Sequence, residues 1–239
     1  VEMRDILKLP RIADLALTVK KISPAGESIP TNKTISLIPG DITYPGLSRA
    51  ILEGLQKRFS FSIEDIYPLS PMQEGMLFHA LYGDNETGTY FEQIFYRVQG
   101  ELDVSLVEKS LNLLFKRHGI LRTLFINDGL DRPLQLVLKD RGVEFYYGDL
   151  GSRVTEEKDK ESLVWEFKEQ DRRRSFDLSR DVLMRAAVLR TGNNEYAVVW
   201  SFHHILLDGW STGILIDELF KIYDALREKR QYRLPPARP

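Results

Sequence analysis

The sequence predicts an α/β protein, a sandwich lobe in which helices pack on a mixed β-sheet. Three observations lead to this fold class. Helical and strand periodicities alternate from residue 62 to residue 239. The segment 182–202 predicts two strands joined across Thr191–Asn194, whose Gly and Asn residues tolerate positive φ. The second of these strands is followed by Gly209 and then by a helical pattern.

The first 61 residues differ in character from the rest. Residues 1–20 predict a short helix after Pro10, with too few apolar residues to form a core. Residues 21–61 predict a linker, rich in Ser, Pro, Gly, Thr and Asn, that contains a short helix at about 47–58. The main domain is therefore expected at 62–239.

Helices and strands alternate along the main domain. Pro71 suits the first turn of the first helix, and the first two predicted helices place apolar residues on one side, whereas the third is charged. The predicted helices span 71–81, 104–115, 156–173 and 211–230. The predicted strands span 90–98, 121–126, 134–138, 143–147, 182–190 and 196–202.

The composition excludes several functional classes. The 33 basic and 35 acidic residues give a formal net charge of −2, so no general attraction to nucleic acid or anionic membranes is expected. The chain has no cysteine, which excludes disulfides, thiolate nucleophiles and cysteine zinc sites. The sequence contains no apolar run of about 18 residues, so no membrane span is predicted. We expect a cytoplasmic protein, and the missing initial Met indicates a piece of a longer chain.

The segment His203–Ser211, HHILLDGWS, places two imidazoles and a carboxylate directly after an apolar strand. A histidine exchanges protons near neutral pH and can accept one from an attacking nucleophile. Asp208 can fold back to brace the turn if a cation neutralises it, and Gly209 permits close backbone approach or positive φ. Packing or capping is an alternative role for the histidines. No metal site is predicted.

The segment Arg117–Thr123, RHGILRT, brings two guanidinium groups to the end of a helix. One of them could supply the cation that Asp208 needs, because guanidinium binds carboxylate in a bidentate manner. Alternatively, Arg117 and Arg122 both cap the C-terminal end of the helix, and the helix dipole favours this second interpretation.

Three segments together resemble the condensation domains of nonribosomal peptide synthetases. Tyr67–His79, Arg117–Thr123 and His203–Ser211 occur in the order and at about the separations of the first three motifs of that family. Phe176–Ser179 and Met184-Arg185 resemble the run that precedes the catalytic strand. The resemblance covers about residues 62–239. It implies a fold similar to chloramphenicol acetyltransferase, in which two lobes form a V.

The family resemblance also implies an activity. His204 would be the catalytic residue that positions or deprotonates the acceptor amine as this amine attacks a donor thioester to form an amide; both roles remain open. No cofactor binds directly, and 4'-phosphopantetheine arrives on upstream and downstream peptidyl-carrier domains. An adjacent adenylation domain and the C-terminal lobe are further partners. That lobe is missing here, so the isolated fragment could be inactive and expose an apolar face.

The resemblance assigns supporting roles to the other motif residues. Asp208 is expected to be structural, with Arg117 as its preferred partner, and Arg122 also supports the site. Gly209 leaves space and a backbone amide near the developing oxyanion. His203 belongs to the catalytic motif but is expected to point away from the channel, because strand neighbours alternate faces. The substrate channel is expected to include Trp210 and Ser211.

Two other functions remain as alternatives. An epimerisation domain shares the HHxxxDG pattern, although the segments Pro71–Met76 and Trp210-Ser211 favour condensation. A non-catalytic lobe that docks carrier domains is the second alternative. Residues 1–20 resemble the tail of a peptidyl-carrier domain without its phosphopantetheine site. A carrier directly upstream favours an L-configured donor, whereas Asp41–Ser48 and Pro71–His79 resemble segments of D-donor domains, so the donor configuration stays open.

Overall fold

The computed structural model describes residues 49–58, 63–82, 88–152 and 156–236. The carrier-like tail at 1–20 and residues 21–48 of the linker lie outside these described residues. The helices are α1 (Arg49–Arg58), α2 (Pro71–Tyr82), α3 (Val104–Arg117), a 3₁₀ turn (Gly119–Arg122), α4 (Glu157–Arg174) and α5 (Gly209–Arg227). The strands are β1 (Ile63–Pro68), β2 (Phe91–Gln99), β3 (Thr123–Ile126), β4 (Leu134–Leu138), β5 (Glu144–Asp149), β6 (Met184–Gly192) and β7 (Glu195–His203).

A small antiparallel sheet has the strand order β1-β4-β3. Every residue of β3 and β4 is buried, which explains why both strands are nearly continuous apolar runs. Leu55 of α1 packs on this sheet together with Ile63 and Ile66 of β1. Strand β1 was not predicted from the sequence; its residues IEDIYP are interrupted by acidic side chains, and its pairing with β4 is irregular between Ile63 and Asp65.

The larger sheet has the order β2-β7-β6-β5 and is mixed. Strands β5 and β6 are parallel, with α4 as the crossover between them, and the other neighbours are antiparallel. The hairpin of β6 and β7 forms across the predicted turn, where Asn194 has a φ of 57°. The expected α/β class with helices packed on a mixed sheet is confirmed, although the described strands form two sheets.

Helices cover both faces of the larger sheet. On one face, Leu114 of α3 and Ile222 of α5 pack in the main core with Trp200 and Phe202 of β7. On the other face, Val164 of α4 packs against the sheet in a smaller cluster. Strand β7 therefore lies between two packed layers. Among the described helices, none has the length and hydrophobicity needed to cross a membrane.

Candidate functional site

The two histidines lie where β7 ends and a short turn leads into α5; we call residues 203–206 the histidine turn. The backbone N–H of His204 donates to the carbonyl of Tyr90 at 2.8 Å, and that of Leu206 donates to the carbonyl of His203 at 3.1 Å. Tyr90 has a φ of 61° just before β2, which is uncommon for a residue with a side chain. The turn is thus attached to the start of the neighbouring strand.

The His203 imidazole is buried, with 4% of the residue exposed. Its Nδ1 accepts a hydrogen bond from the backbone N–H of Ile205 at 3.1 Å. Burial lowers the pKa of His203 from 6.5 to about 4, and the charge of His204 adds to the shift. At neutral pH the ring is neutral, and because Nδ1 accepts, the proton is on Nε2. His203 therefore braces the turn that carries His204.

His204 is only partly buried, and no hydrogen bond joins its ring to another described residue. Its position is set by the backbone, through the bond to Tyr90. The ring nitrogens are consequently available to an external group. Within the described residues, no cluster of three potential metal ligands was found.

Asp208 is the N-cap of α5, and its side chain accepts from the backbone N–H of Ser211 at 2.7 Å. The hydrogen bonds from Ser211 hold the pKa of this exposed carboxyl below its usual value. The expected pairing of Asp208 with Arg117 is wrong in this structure. The first turn of a helix has N–H groups without intrahelical partners, and a nearby aspartate satisfies one of them without an arginine.

Arg117 instead pairs with Glu218, in the middle of α5. Its Nε and Nη2 donate to the two carboxylate oxygens at 3.0 and 3.1 Å, and Nη2 also donates to the carbonyl of Pro235. The Nε2 atom of His118 lies 2.6 Å from Oε2 of the same carboxylate. Glu218 is 5% exposed, so these contacts neutralise a buried charge. They join α3, α5 and the C-terminal segment.

Arg122 supports the smaller sheet. Its Nε donates to the carbonyl of Phe115 in the last turn of α3 at 2.7 Å, and its Nη1 donates to Glu64 of β1 at 2.6 Å and to the carbonyl of Leu138. The capping interpretation is confirmed for Arg122, which binds a terminal carbonyl of α3. For Arg117 it is wrong, because Glu218 holds that guanidinium.

The remaining motif residues form the start of α5. Gly209 is its first residue, has no positive φ, and an added Cβ would meet no atom within 4 Å. The expected close approach or positive φ at Gly209 is therefore absent within the described part of the chain. Trp210 is 87% exposed and Ser211 partly buried, so the indole is open to another surface.

Gln73 forms a contact with the histidine turn that was not predicted from the sequence. Its Nε2 donates to the carbonyl of Ile205 at 3.3 Å, which ties α2 to the histidine turn. Its Oε1 accepts from the backbone N–H of Ser70, while Ser70 Oγ accepts from the Gln73 N–H. This reciprocal pair is a capping box, and the spacing Ser-x-x-Gln was its sequence signal.

The fold and the histidine turn define an α/β lobe similar to chloramphenicol acetyltransferase. The sequence model of the family described as "Condensation domain" matches residues 63–239. The chain therefore belongs to the condensation-domain family of nonribosomal peptide synthetases.

Curated relatives include synthetases from several bacteria. The chain is 44% identical over 177 residues to surfactin synthase subunit 3 of Bacillus subtilis (strain 168), covering 74% of this chain and 14% of the relative. It is also 44% identical over 177 residues to gramicidin S synthase 2 of Brevibacillus brevis, covering 74% of this chain and 4% of that protein. The chain thus spans a small part of the length of these relatives.

Solved structures agree on the fold. The starter condensation domain of rhizomide synthetase RzmA matches with a TM-score of 0.61 and 22% identity, covering 71% of this chain and 41% of that chain. The holo form of AB3403, a four-domain nonribosomal peptide synthetase bound to AMP and glycine, matches with a TM-score of 0.57 and 21% identity, covering 68% of this chain and 12% of that chain.

Proposed function

We propose that this chain is the N-terminal lobe of a condensation domain that joins a carrier-bound aminoacyl or peptidyl thioester to a carrier-bound aminoacyl acceptor. The observation that carries the proposal is His204, a partly buried imidazole held by its backbone at the end of the central strand β7 in a chain of the condensation family. Its ring is available to an external group, while His203 is engaged with the turn itself.

The reaction forms a C–N bond and breaks a C–S bond. The acceptor α-amine attacks the carbonyl carbon of the donor thioester, the sulfur leaves on the donor's phosphopantetheine arm, and the proton lost by nitrogen ends on that sulfur. A neutral imidazole at His204 could hold the amine by hydrogen bonding or transfer its proton.

The other motif residues act through structure in this proposal. Asp208 fixes the start of α5, and we assign to the Gly209 amide the stabilisation of the oxyanion that develops on the thioester carbonyl. Trp210 and Ser211 border the channel through which the substrates enter. The chain itself holds no cofactor, and the phosphopantetheine comes with upstream and downstream peptidyl-carrier domains, one of them loaded by an adenylation domain.

Apolar side chains on two helices indicate where the rest of the domain packs. Large exposed apolar residues occur along α2 and α5: Met72, Phe78, Leu81, Tyr82, Trp210, Ile214 and Phe220. Exposed apolar surface of this kind is typical of an interaction face. The C-terminal lobe of the same domain is the occupant that we propose for it.

The test compares His204→Ala with His203→Ala in a complete synthetase module that contains this sequence. Donor and acceptor carriers are loaded, and the amide-linked product on the acceptor carrier is measured with time. We expect His204→Ala to lower the rate at least about 100-fold, the usual contribution of a positioned acid or base, and His203→Ala to lower it less. Equal losses, or a loss confined to His203→Ala, contradict the assignment.

The same assay separates the alternative functions. An epimerisation domain inverts the α-carbon of a single loaded aminoacyl carrier and forms no amide when the second carrier is added. A docking lobe binds loaded carriers without turnover, even when the C-terminal lobe is present. Chiral analysis of the released amino acid and a binding titration therefore accompany the rate measurement.

A further inference from the structure

A stack of one guanidinium and several rings lies behind the histidine turn. Arg185 of β6 is 5% exposed, and the carbon at the centre of its guanidinium is 4.1 Å from the centroid of the Phe176 ring. Nε of Arg185 donates to Oδ1 of Asp171 at 2.8 Å, and Nη2 donates to the carbonyl of the same residue at 2.9 Å. A buried arginine held at two points is rigid, so its planar group forms a fixed surface for the ring.

Arg185 also fixes the backbone that leads into Phe176. Its Nη1 donates to the carbonyl of Ser175 at 2.9 Å, where α4 ends. Ser175 has a φ of 53° and a ψ of −161°, a conformation that a residue with a side chain seldom adopts. One guanidinium thus contacts the Phe176 ring and holds the strained residue that determines where this ring is placed.

The Phe176 ring in turn contacts His203. The ring centroids are 6.5 Å apart with an interplanar angle of 84°, an edge-to-face arrangement. Phe176 also stacks on Phe91, whose backbone pairs with His203 across β2 and β7. The imidazole also contacts the Tyr90 ring, with the two ring centroids 6.0 Å apart. The orientation of the His203 ring is thereby fixed by its neighbours.

That orientation determines one hydrogen bond within the histidine turn. The bond from the Ile205 N–H to His203 Nδ1 spans His204, the residue between them. Rotation of the imidazole would break this bond and leave the Ile205 N–H without its partner. The histidine turn would then be held only by the backbone bonds of His204 to Tyr90 and of Leu206 to His203, and by the Gln73 side chain.

We propose that Arg185 is a positioning residue, which acts through Phe176 on the His203 ring and so fixes the histidine turn. Arg185 is more than one contact removed from the reacting atoms and is not a catalytic residue. The effect on the rate rests on the proposed function of His204; the effect on the turn does not.

The test uses the whole 239-residue chain, whose four histidines make selective ¹⁵N labelling of imidazoles practicable. Phe176→Leu removes the ring, Phe176→Tyr keeps it, and Arg185→Lys removes the planar group but keeps the charge. Arg190→Lys is the matched control, since Arg190 lies on the same strand and pairs with Asp149 at 2.5 Å outside the stack. Thermal unfolding of each variant shows whether it is folded.

In the wild type, we expect separate resonances for the protonated Nε2 and the accepting Nδ1 of His203, and slow exchange of the Ile205 amide. Phe176→Leu and Arg185→Lys should average the two nitrogen resonances and speed amide exchange about fivefold to tenfold, the loss of one ordinary hydrogen bond. Phe176→Tyr and Arg190→Lys should match the wild type. No change in Phe176→Leu and Arg185→Lys, or equal change in all four variants, overturns the proposal.

A kinetic measurement in a complete module separates this inference from the proposed function. Arg185→Lys should lower kcat for amide formation about tenfold with little change in KM, because a misplaced group slows the chemical step more than binding. If the wild type forms no amide, the proposed function fails, and the imidazole spectra still decide the role of Arg185. If the wild type is active and Arg185→Lys changes neither spectra nor kcat, the positioning role alone fails.

Discussion

Replacing Glu218 by Gln tests whether the cluster of Arg117, His118 and Glu218 stabilises the fold. The carboxylate accepts two hydrogen bonds from Arg117 and lies 2.6 Å from Nε2 of His118. The substitution removes the negative charge and retains the size of the side chain. An amide has only one accepting oxygen, so its N–H₂ group would face a donor of either Arg117 or His118.

The expected loss follows from the burial of the cluster. Breaking a buried ion pair from one side costs about 3–5 kcal/mol, since the remaining charge is left uncompensated. The Arg117 side chain is 20% exposed and keeps its bond to the Pro235 carbonyl, so part of its charge is resolvated. We therefore expect a loss of about 2–3 kcal/mol in the free energy of unfolding. For a domain of this size, that loss corresponds to a Tm lower by about 4–12 °C.

Urea unfolding followed by circular dichroism measures the loss in the free energy of unfolding for each variant, and calorimetry measures the change in Tm. Asp217→Asn is the matched control, because Asp217 precedes Glu218 on α5 and forms an exposed pair with Lys221. Exposed pairs contribute little, so the control should lie within about 0.5 kcal/mol of the wild type. A double-mutant cycle with Arg117→Gln gives the coupling free energy of the pair. A loss for Glu218→Gln no larger than that for Asp217→Asn refutes the argument.

The pH dependence gives a second check on Glu218. Burial alone would raise the pKa of its carboxyl, but the hydrogen bonds from Arg117 and His118 together outweigh burial and hold the pKa below the ordinary 4.5. The unfolded chain therefore takes up this proton at higher pH than the folded chain. The stabilisation is present above about pH 4.5 and is lost as the pH falls through the folded pKa. The difference in the free energy of unfolding between the wild type and Glu218→Gln should become smaller as the pH falls below about 4.5.

Three further predictions concern the site. Asp208→Ala should unfold at lower temperature than the wild type while Asp208→Asn stays close to it, since Asn also caps a helix; equal losses in a thermal scan would contradict the capping role. Gln73→Ala should lose about 1–2 kcal/mol in urea unfolding through its bonds to Ser70 and Ile205, and Gln73→Glu should keep the capping bond; no loss in Gln73→Ala would exclude this contribution. The His203 imidazole, with a pKa of about 4, should show no titration by NMR between pH 8 and 5.5. Because the unfolded form takes up its proton near pH 6.5, His203 should lower the free energy of unfolding as the pH falls from 6.5 towards 4. His203→Asn should make the free energy of unfolding depend less on pH over this range.

Local patterns predicted much of the fold. The four helices of the main domain, the hairpin of β6 and β7, and the strand, turn and helix around His203–Ser211 were all expected from periodicity and turn residues. These features depend on neighbours within a few residues, which a single sequence displays. The acidic interruption of β1 and its pairing irregularity with β4 hid that strand, because its burial comes from a partner about 70 residues away.

One partner in the site had a sequence signal that was overlooked. Glu218 falls between Leu215 and Ile222 on the buried stripe of α5, at the spacing of one helix face. A carboxylate at such a position requires a cation, and that requirement points to an arginine elsewhere. The periodicity shows the need for a partner without identifying it.

Local motifs and periodicities were enough to predict the family, the paired histidines and the order of the elements apart from β1. The pairing of the charged groups, in contrast, depends on how distant segments pack. Arg117 pairs with Glu218, 101 residues away, and Gln73 reaches the carbonyl of Ile205 across 132 residues. Asp208 could be satisfied by the nearby Ser211 N–H, so Arg117 was left to the buried carboxylate that has no local donor. A buried charged group requires a partner, and the packing of distant segments determines which group is buried and which partner lies beside it.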